Sequence, residues 1–291
     1  MPTFALVRGQ DRALGVLRAA LANRRLHHAL LFTGPGGVGK RTTALALASA
    51  LNCETSPGVG CGTCATCTRI ADGIHPDVIT LQREGAAQIV PIETVRAQVI
   101  AAVGLPPHEA RERVFLIDEA TALQPAAANS LLKTLEEPPA RTRFVLMTVA
   151  PDQLLPTIRS RCQRVAFSAL GAETRKAMTG GEPDPVVAAA EALVAAVDRG
   201  VHAGAAIGVV QGAGGESKLD VAAVVELAAI ELHGRARAAV EDGDLPAARL
   251  AADRASILVA AHMAIAVHHG HGGVSLEALA HRLQRGGLCT A

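Results

Sequence analysis

The segment Gly34-Pro35-Gly36-Gly37-Val38-Gly39-Lys40 constrains this 291-residue chain more than any other. It follows the apolar run Ala29–Thr33 and precedes a helical pattern over residues 42–51. Strand, glycine loop, lysine and helix in that order make a phosphate loop. Backbone N–H groups at a helix N-terminus surround phosphate oxygens, and the lysine adds a point charge. Gly34, Gly36, Gly37, Gly39 and Lys40 are therefore candidate nucleotide-binding residues. The next position carries the defect. A working loop wants Ser or Thr there, whose hydroxyl holds Mg²⁺. This chain has Arg41, which has no oxygen and brings a cation instead. Thr42 and Thr43 follow, but each helical step turns the side chain by about 100°, so neither replaces the missing ligand. Hydrolysis of ATP with Mg²⁺ is expected to be weak or absent.

Apolar runs at 78–81, 114–117 and 144–148 read as further buried strands, and 92–103 and 126–135 as helices between them. Strand-helix alternation implies an α/β domain with a parallel sheet covered on both faces. Asp118-Glu119 closes the strand at 114–117. An acidic pair there can hold Mg²⁺ and polarise water, or simply end a strand in solvent.

The composition changes near residue 168. All five Phe lie at or before Phe167, and 12 of 15 Pro precede residue 168. Residues 1–167 have 18 basic and 13 acidic side chains, a net of +5, against 10 and 14 beyond, a net of −4. Gly180-Gly-Glu-Pro-Asp-Pro185 reads as a linker. Helical patterns follow over 186–198, 219–241, 247–268 and 275–285. The expected organisation is a core over 1–167, a linker or reduced lid over 168–185, and an all-α domain over 186–291. No run of about 18 apolar residues avoids charge, so no membrane span is expected, and the chain reads as cytoplasmic.

Cys53, Cys61, Cys64 and Cys67 fall within fifteen residues as C-x7-C-x2-C-x2-C. Four thiolates in one loop form the ligand set of tetrahedral Zn²⁺, and four protein ligands leave no open position, so the ion's role is structural. Disulfides or a redox pair are the alternatives, and iron suits the same ligand type. Cys162 and Cys289 stand apart and read as buried thiols; His268-His-Gly-His271 reads as a polar loop.

These features coincide in one family. Residues 1–167 resemble the AAA+ module of bacterial DNA polymerase III clamp-loader subunits, the gamma/tau and delta-prime group. The resemblance rests on Gly9-Gln10, Arg25-Leu-His-His-Ala-Leu-Leu-Phe32, the phosphate loop and the four-Cys insert. It continues through His75-Pro-Asp77, Asn129-Ser-Leu-Leu-Lys-Thr-Leu-Glu-Glu-Pro-Pro139 and Thr157-Ile-Arg-Ser-Arg-Cys162. The helical remainder resembles the family's collar domain more faintly. The Ser-Arg-Cys motif implies that Arg161 is an arginine finger reaching the ATP site of a neighbouring subunit. Thr148 resembles the sensor-1 position.

Within the family, gamma/tau keeps Ser or Thr after the lysine and hydrolyses ATP, whereas delta-prime has a degraded loop and keeps the arginine. Arg41 and the chain length point to the delta-prime role. Asp118-Glu119, often lost from delta-prime, points the other way, towards a gamma/tau-like ATPase. The family's lid, with its sensor-2 arginine, has no counterpart in the short 168–185 stretch. The resemblance implies gamma/tau and delta partners in a hetero-pentamer that loads a sliding clamp on primed DNA, with Zn²⁺ as a structural ion. The +5 core could meet DNA phosphates. Trp and Tyr are absent, so there is no aromatic ladder for stacking single strands. Polymerase activity would belong to the holoenzyme, not to this chain.

Overall fold

The computed structural model describes residues 3–85, 88–171, 174–175, 185–199 and 221–267. The chain forms two compact units, residues 1–168 and 169–291.

The first unit is built on five parallel strands. These are β1 (Ala29–Thr33), β2 (Val78–Leu81), β3 (Arg113–Ile117), β4 (Thr142–Thr148) and β5 (Gln163–Ala166), in the order β2-β3-β4-β1-β5. Around them run α1 (Asp11–Ala22), α2 (Lys40–Asn52), α3 (Ala65–Ala71), α4 (residues 92–103), α5 (Pro125–Glu136) and the single turn α6 (Pro156–Arg159). The middle turn of α4, Arg96–Ile100, is π-helical. This is the α/β P-loop core expected of an AAA+ module.

The central strands β1 and β3 are buried along their whole length, which is why they read as unbroken apolar runs. Phe115 and Phe144 stack in the core at 5.1 Å between centroids, and both are fully buried. Such a ring contributes roughly 1.5–3 kcal/mol by leaving water. Phe32 meets Phe167, again at 5.1 Å.

The structure adds two elements, β5 and α1, and moves the start of two strands. Strand β5 carries no apolar run: of Gln163-Arg-Val-Ala only Val165 is buried, as befits a sheet edge. Helix α1 was not read either. Strand β3 starts one residue early at Arg113, a buried arginine held by the buried Asp77, and β4 starts at Thr142.

The second unit, within the described residues, is helical: α7 (Pro185–Arg199), α8 (Val221–Glu241) and α9 (Leu245–Val267). Their shared core is small and branched, with Ala189, Leu193, Val194, Val224, Ala228 and Leu258 fully buried. Gly243 (φ 79°) turns α8 into α9, and the Asp244 carboxylate caps α9 by accepting the Ala247 N–H at 3.0 Å. Asp198 of α7 accepts from Arg235 of α8 at 2.8 Å and from Arg254 of α9 at 2.5 Å.

Most of the expected reduced lid over 168–185 lies outside the described residues. So do the helix read over 275–285, His268–His271 and Cys289. Among the described residues, no helix is long and apolar enough to cross a membrane.

Candidate functional site

The phosphate loop joins β1 to α2. Three of its glycines take left-handed backbone, at φ 145° (Gly34), 69° (Gly37) and 92° (Gly39). At Gly34 a Cβ would lie 2.3 Å from the Phe167 carbonyl oxygen, so nothing larger fits. The Gly34 N–H donates to the Thr148 carbonyl at 3.3 Å, tying the loop to β4. Lys40 donates from Nζ to the Gly34 carbonyl at 2.6 Å and to the Pro35 carbonyl. Gly36 lies in the same turn. Thr43 is fully buried and donates its hydroxyl to the Gly39 carbonyl at 2.8 Å, turned into the helix rather than out to the loop's open side.

The structure brings Arg41 and Asp118 together: Nη1 stands 3.1 Å from Oδ2. The guanidinium thus occupies the carboxylate that would bind Mg²⁺ in a working P-loop site. A divalent cation there would have to displace the Arg41 guanidinium or sit beside it. These residues do not fit a Mg²⁺ site of the usual kind.

Glu119 faces a different set of partners. It is held at φ 67°, a conformation uncommon outside glycine. Its carboxylate accepts from the Thr148 hydroxyl at 2.7 Å, the Thr121 hydroxyl at 2.6 Å and the Val149 N–H at 3.3 Å. Thr148 ends β4 fully buried, so its hydroxyl is committed to Glu119.

The four cysteines converge between α2 and α3. Their sulfurs all lie within 4.8 Å of one another, with Cys53–Cys64 at 3.9 Å and Cys61–Cys67 at 4.0 Å. Tetrahedral zinc at about 2.3 Å from each sulfur requires edges of about 3.8 Å. Backbone N–H groups point at the sulfurs: Ser56 and Cys61 donate to Cys53 at 3.2 and 3.3 Å, and Cys64 donates to Cys61 at 3.2 Å. Such donors stabilise thiolate charge. The Thr55 hydroxyl and then the Thr63 N–H pull the Cys61 thiol down to about 5. Burial opposes ionisation of Cys53, but N–H bonds from Cys61 and Ser56 outweigh it and lower the thiol. Burial pushes Cys67 up to about 12. The donor set can hold a metal ion, which would bring all four sulfurs to thiolate. Cys162 is apart from this cluster, packed against the sheet core, and burial raises its thiol to about 12.

Arg161 lies just past α6. Its Nη1 donates to the Thr157 carbonyl at 2.9 Å and to the Ser160 hydroxyl at 3.3 Å, and its Nη2 pairs with the Glu136 carboxylate at the end of α5. Its Nε is buried and has no partner among the described residues. The guanidinium is folded onto its own chain. Sequence reasoning missed Glu136 as its partner, although Glu136 stands inside the quoted Leu-Glu-Glu-Pro-Pro motif.

Comparison with known proteins follows the same stretch of chain. Residues 9–171, more than half of the chain, match the family described as "DNA polymerase III, delta subunit". The DNA polymerase III subunit tau of Salmonella typhimurium is 42% identical over 172 residues, 59% of this chain and 26% of that protein. The gamma/tau subunit of Mycobacterium bovis is 37% identical over 179 residues, 60% of this chain and 30% of that protein. The chain therefore spans between a quarter and a third of the length of these relatives. Among solved structures, a gamma subunit-related protein of DNA polymerase III from Thermotoga maritima aligns over 95% of this chain and 100% of its own, at 16% identity and a TM-score of 0.42. With residues 9–171 matched, more than half of its length, the chain belongs to the family described as "DNA polymerase III, delta subunit".

Proposed function

We propose that the chain is a clamp-loader subunit of the delta-prime kind, which does not hydrolyse ATP itself and supplies Arg161 to a neighbouring ATPase. The observation that carries this reading is the Arg41–Asp118 ion pair. Phosphoryl transfer depends on a cation bridging the β- and γ-phosphates and on an orienting acid. Asp118 is engaged by Arg41, and Glu119 by Thr148, so this chain's own residues are not set to activate water.

Arg161 would act in trans. A guanidinium at a γ-phosphate neutralises charge that develops in the transition state, and its planar fork suits phosphate oxygens. To reach a neighbour it must leave Glu136. The four cysteines would hold a structural zinc that fixes the loop between α2 and α3. The helical unit would form the collar that joins gamma/tau and delta partners in a hetero-pentamer. Sliding clamp and primed DNA would be met through that assembly.

A second reading, a gamma/tau-like ATPase, is favoured by the relatives' names, which speak for it more than for delta-prime. The intact Asp118-Glu119 pair speaks for it too. Mg²⁺-dependent ATP turnover separates the two. The chain alone, then mixed with gamma/tau and delta, is assayed as wild type and as Arg161→Ala. A silent isolated chain, with partner turnover that drops in the variant, supports the first reading. Turnover by the isolated chain, abolished by Lys40→Ala, replaces it with the second.

A further inference from the structure

We infer that a groove beside the cysteine loop is a docking site for an acidic peptide segment of a partner protein, one that alternates carboxylates with apolar side chains. The groove lies at the other end of the strands from the phosphate loop: Leu26 precedes β1, Glu112 precedes β3, and Arg143 is the second residue of β4.

Its volume is about 1010 Å³, at the top of the roughly 300–1,000 Å³ range of small-molecule sites, so it has room for a length of chain. Leu21, Leu26, Leu51 and Val59 give it an apolar lining, and Val59 is 66% exposed. One wall is preformed. The Gly58 N–H donates to the Ala50 carbonyl at 2.7 Å, and a Cβ on Gly60 would meet the Ala50 nitrogen at 3.2 Å, so this loop is pressed against the end of α2.

The charge of the lining is one-sided. Arg18, Arg24, Arg111 and Arg143 face a single carboxylate, Glu112, a net of +3. Glu112 is already neutralised by Arg143, whose Nη2 donates to it at 3.0 Å and whose Nη1 donates to the Leu26 carbonyl at 2.8 Å. The other three arginines are exposed and have no carboxylate partner among the described residues. Arg18 stands 5.9 Å from the centroid of the Phe4 ring. Arg24 sits where α1 ends in a Schellman turn: the Arg25 N–H bonds the Ala20 carbonyl at 2.8 Å, and the Arg24 N–H bonds the Leu21 carbonyl at 3.1 Å. That turn holds Arg24 at φ 52°, where glycine is the ordinary choice. An arginine kept there at a conformational cost, on a groove with two further unpaired arginines, serves a ligand better than it serves the fold. Carboxylates match the forked donors of arginine, and Leu or Val side chains match the lining. Single-stranded nucleic acid would want open aromatic faces for its bases, but the ring that lines this groove, Phe4, is buried against Arg18.

The test is fluorescence anisotropy of the intact chain with labelled eight-residue peptides that alternate Asp with Leu, Asn with Leu, or Asp with Ser, and with a thymidylate dodecamer. Wild type should bind the Asp-Leu peptide and bind each of the other probes roughly tenfold more weakly or less. Arg24→Gly should weaken the Asp-Leu peptide roughly tenfold and leave the melting temperature unchanged or raised, because the turn loses its strain. A purely structural Arg24 would move the melting temperature and not the binding. Val59→Asp, at an exposed position, should abolish binding, whereas Arg96→Ala, an exposed arginine outside the groove, should leave it as it is. No binding of the Asp-Leu peptide, equal binding of the Asn-Leu peptide, or wild-type binding by Arg24→Gly and Val59→Asp overturns the inference. So does tighter binding of the oligonucleotide than of the peptide.

Discussion

Asp77 and Arg113 form an internal ion pair between the turn before β2 and the first residue of β3, with Nη2 2.9 Å from Oδ1. Asp77 is fully buried and also accepts the N–H groups of His108, Glu109 and Ala110 at 2.8–2.9 Å. Arg113 spends its other donors on the carbonyls of Ala102, Leu105 and Pro106. One carboxylate thereby fixes the loop that carries the chain into β3, the strand ending at Asp118. Removing it strands a buried cation and three N–H groups. Asp77→Ala should cost about 3–5 kcal/mol in urea unfolding followed by circular dichroism. A loss below about 1 kcal/mol would contradict the pair's role.

The same group sets an acid limit. Burial alone would raise the Asp77 carboxyl, but the N–H bonds from Glu109, Ala110 and His108, together with Arg113, hold it at about 2, below its ordinary 3.8. A depressed carboxyl contributes stability that is complete above its unfolded value and is lost as pH falls through the folded one. Wild type should therefore lose about 2 kcal/mol between pH 5 and pH 2 through this group. The Asp77→Asn variant should lack that share of the slope. Parallel pH profiles in wild type and variant would exclude it.

The cysteine cluster predicts about one zinc per chain by elemental analysis after gentle purification. Cys64→Ser should lose the ion. Chelation of the wild type should lower the melting temperature by roughly 5 °C or more, because a structural metal contributes folding free energy directly. A chain purified without metal that melts at the same temperature as a zinc-loaded one would refute this.

Arg161 and Glu136 separate reach from charge. The proposed trans role of Arg161 predicts that Arg161→Ala, mixed with gamma/tau and delta, reduces partner ATP turnover by about 10³-fold or more. Glu136→Ala removes the carboxylate that holds Nη2 and leaves the Thr157 and Ser160 contacts of Nη1 in place. Turnover should then equal or exceed wild type. Equal losses in both variants would mean that the pair serves packing alone.

Gly34→Ala tests the loop's shape. The added methyl would meet the Phe167 carbonyl at 2.3 Å on a backbone at φ 145°. The variant should be destabilised by about 2 kcal/mol or more in urea unfolding. A variant of wild-type stability would show that the turn relaxes.

The sequence by itself determined the elements whose chemistry is local. Ala29–Thr33 is apolar at every position but the last because a central parallel strand is covered on both faces, and the glycines of the next turn admit backbone that other residues avoid. Four cysteines at close spacing in one loop had little room to end anywhere but together. Tertiary structure decided the pairings that cross the chain. Arg41 and Asp118 are 77 residues apart, Thr148 and Glu119 are 29 apart, and Arg161 and Glu136 are 25 apart. No periodicity encodes such contacts; the parallel register of β1, β3 and β4 brings the strand ends to one edge of the sheet. Strand β5 was illegible for a related reason. Three of its four side chains face solvent, so its place comes from pairing with β1, which a sequence of exposed residues does not announce.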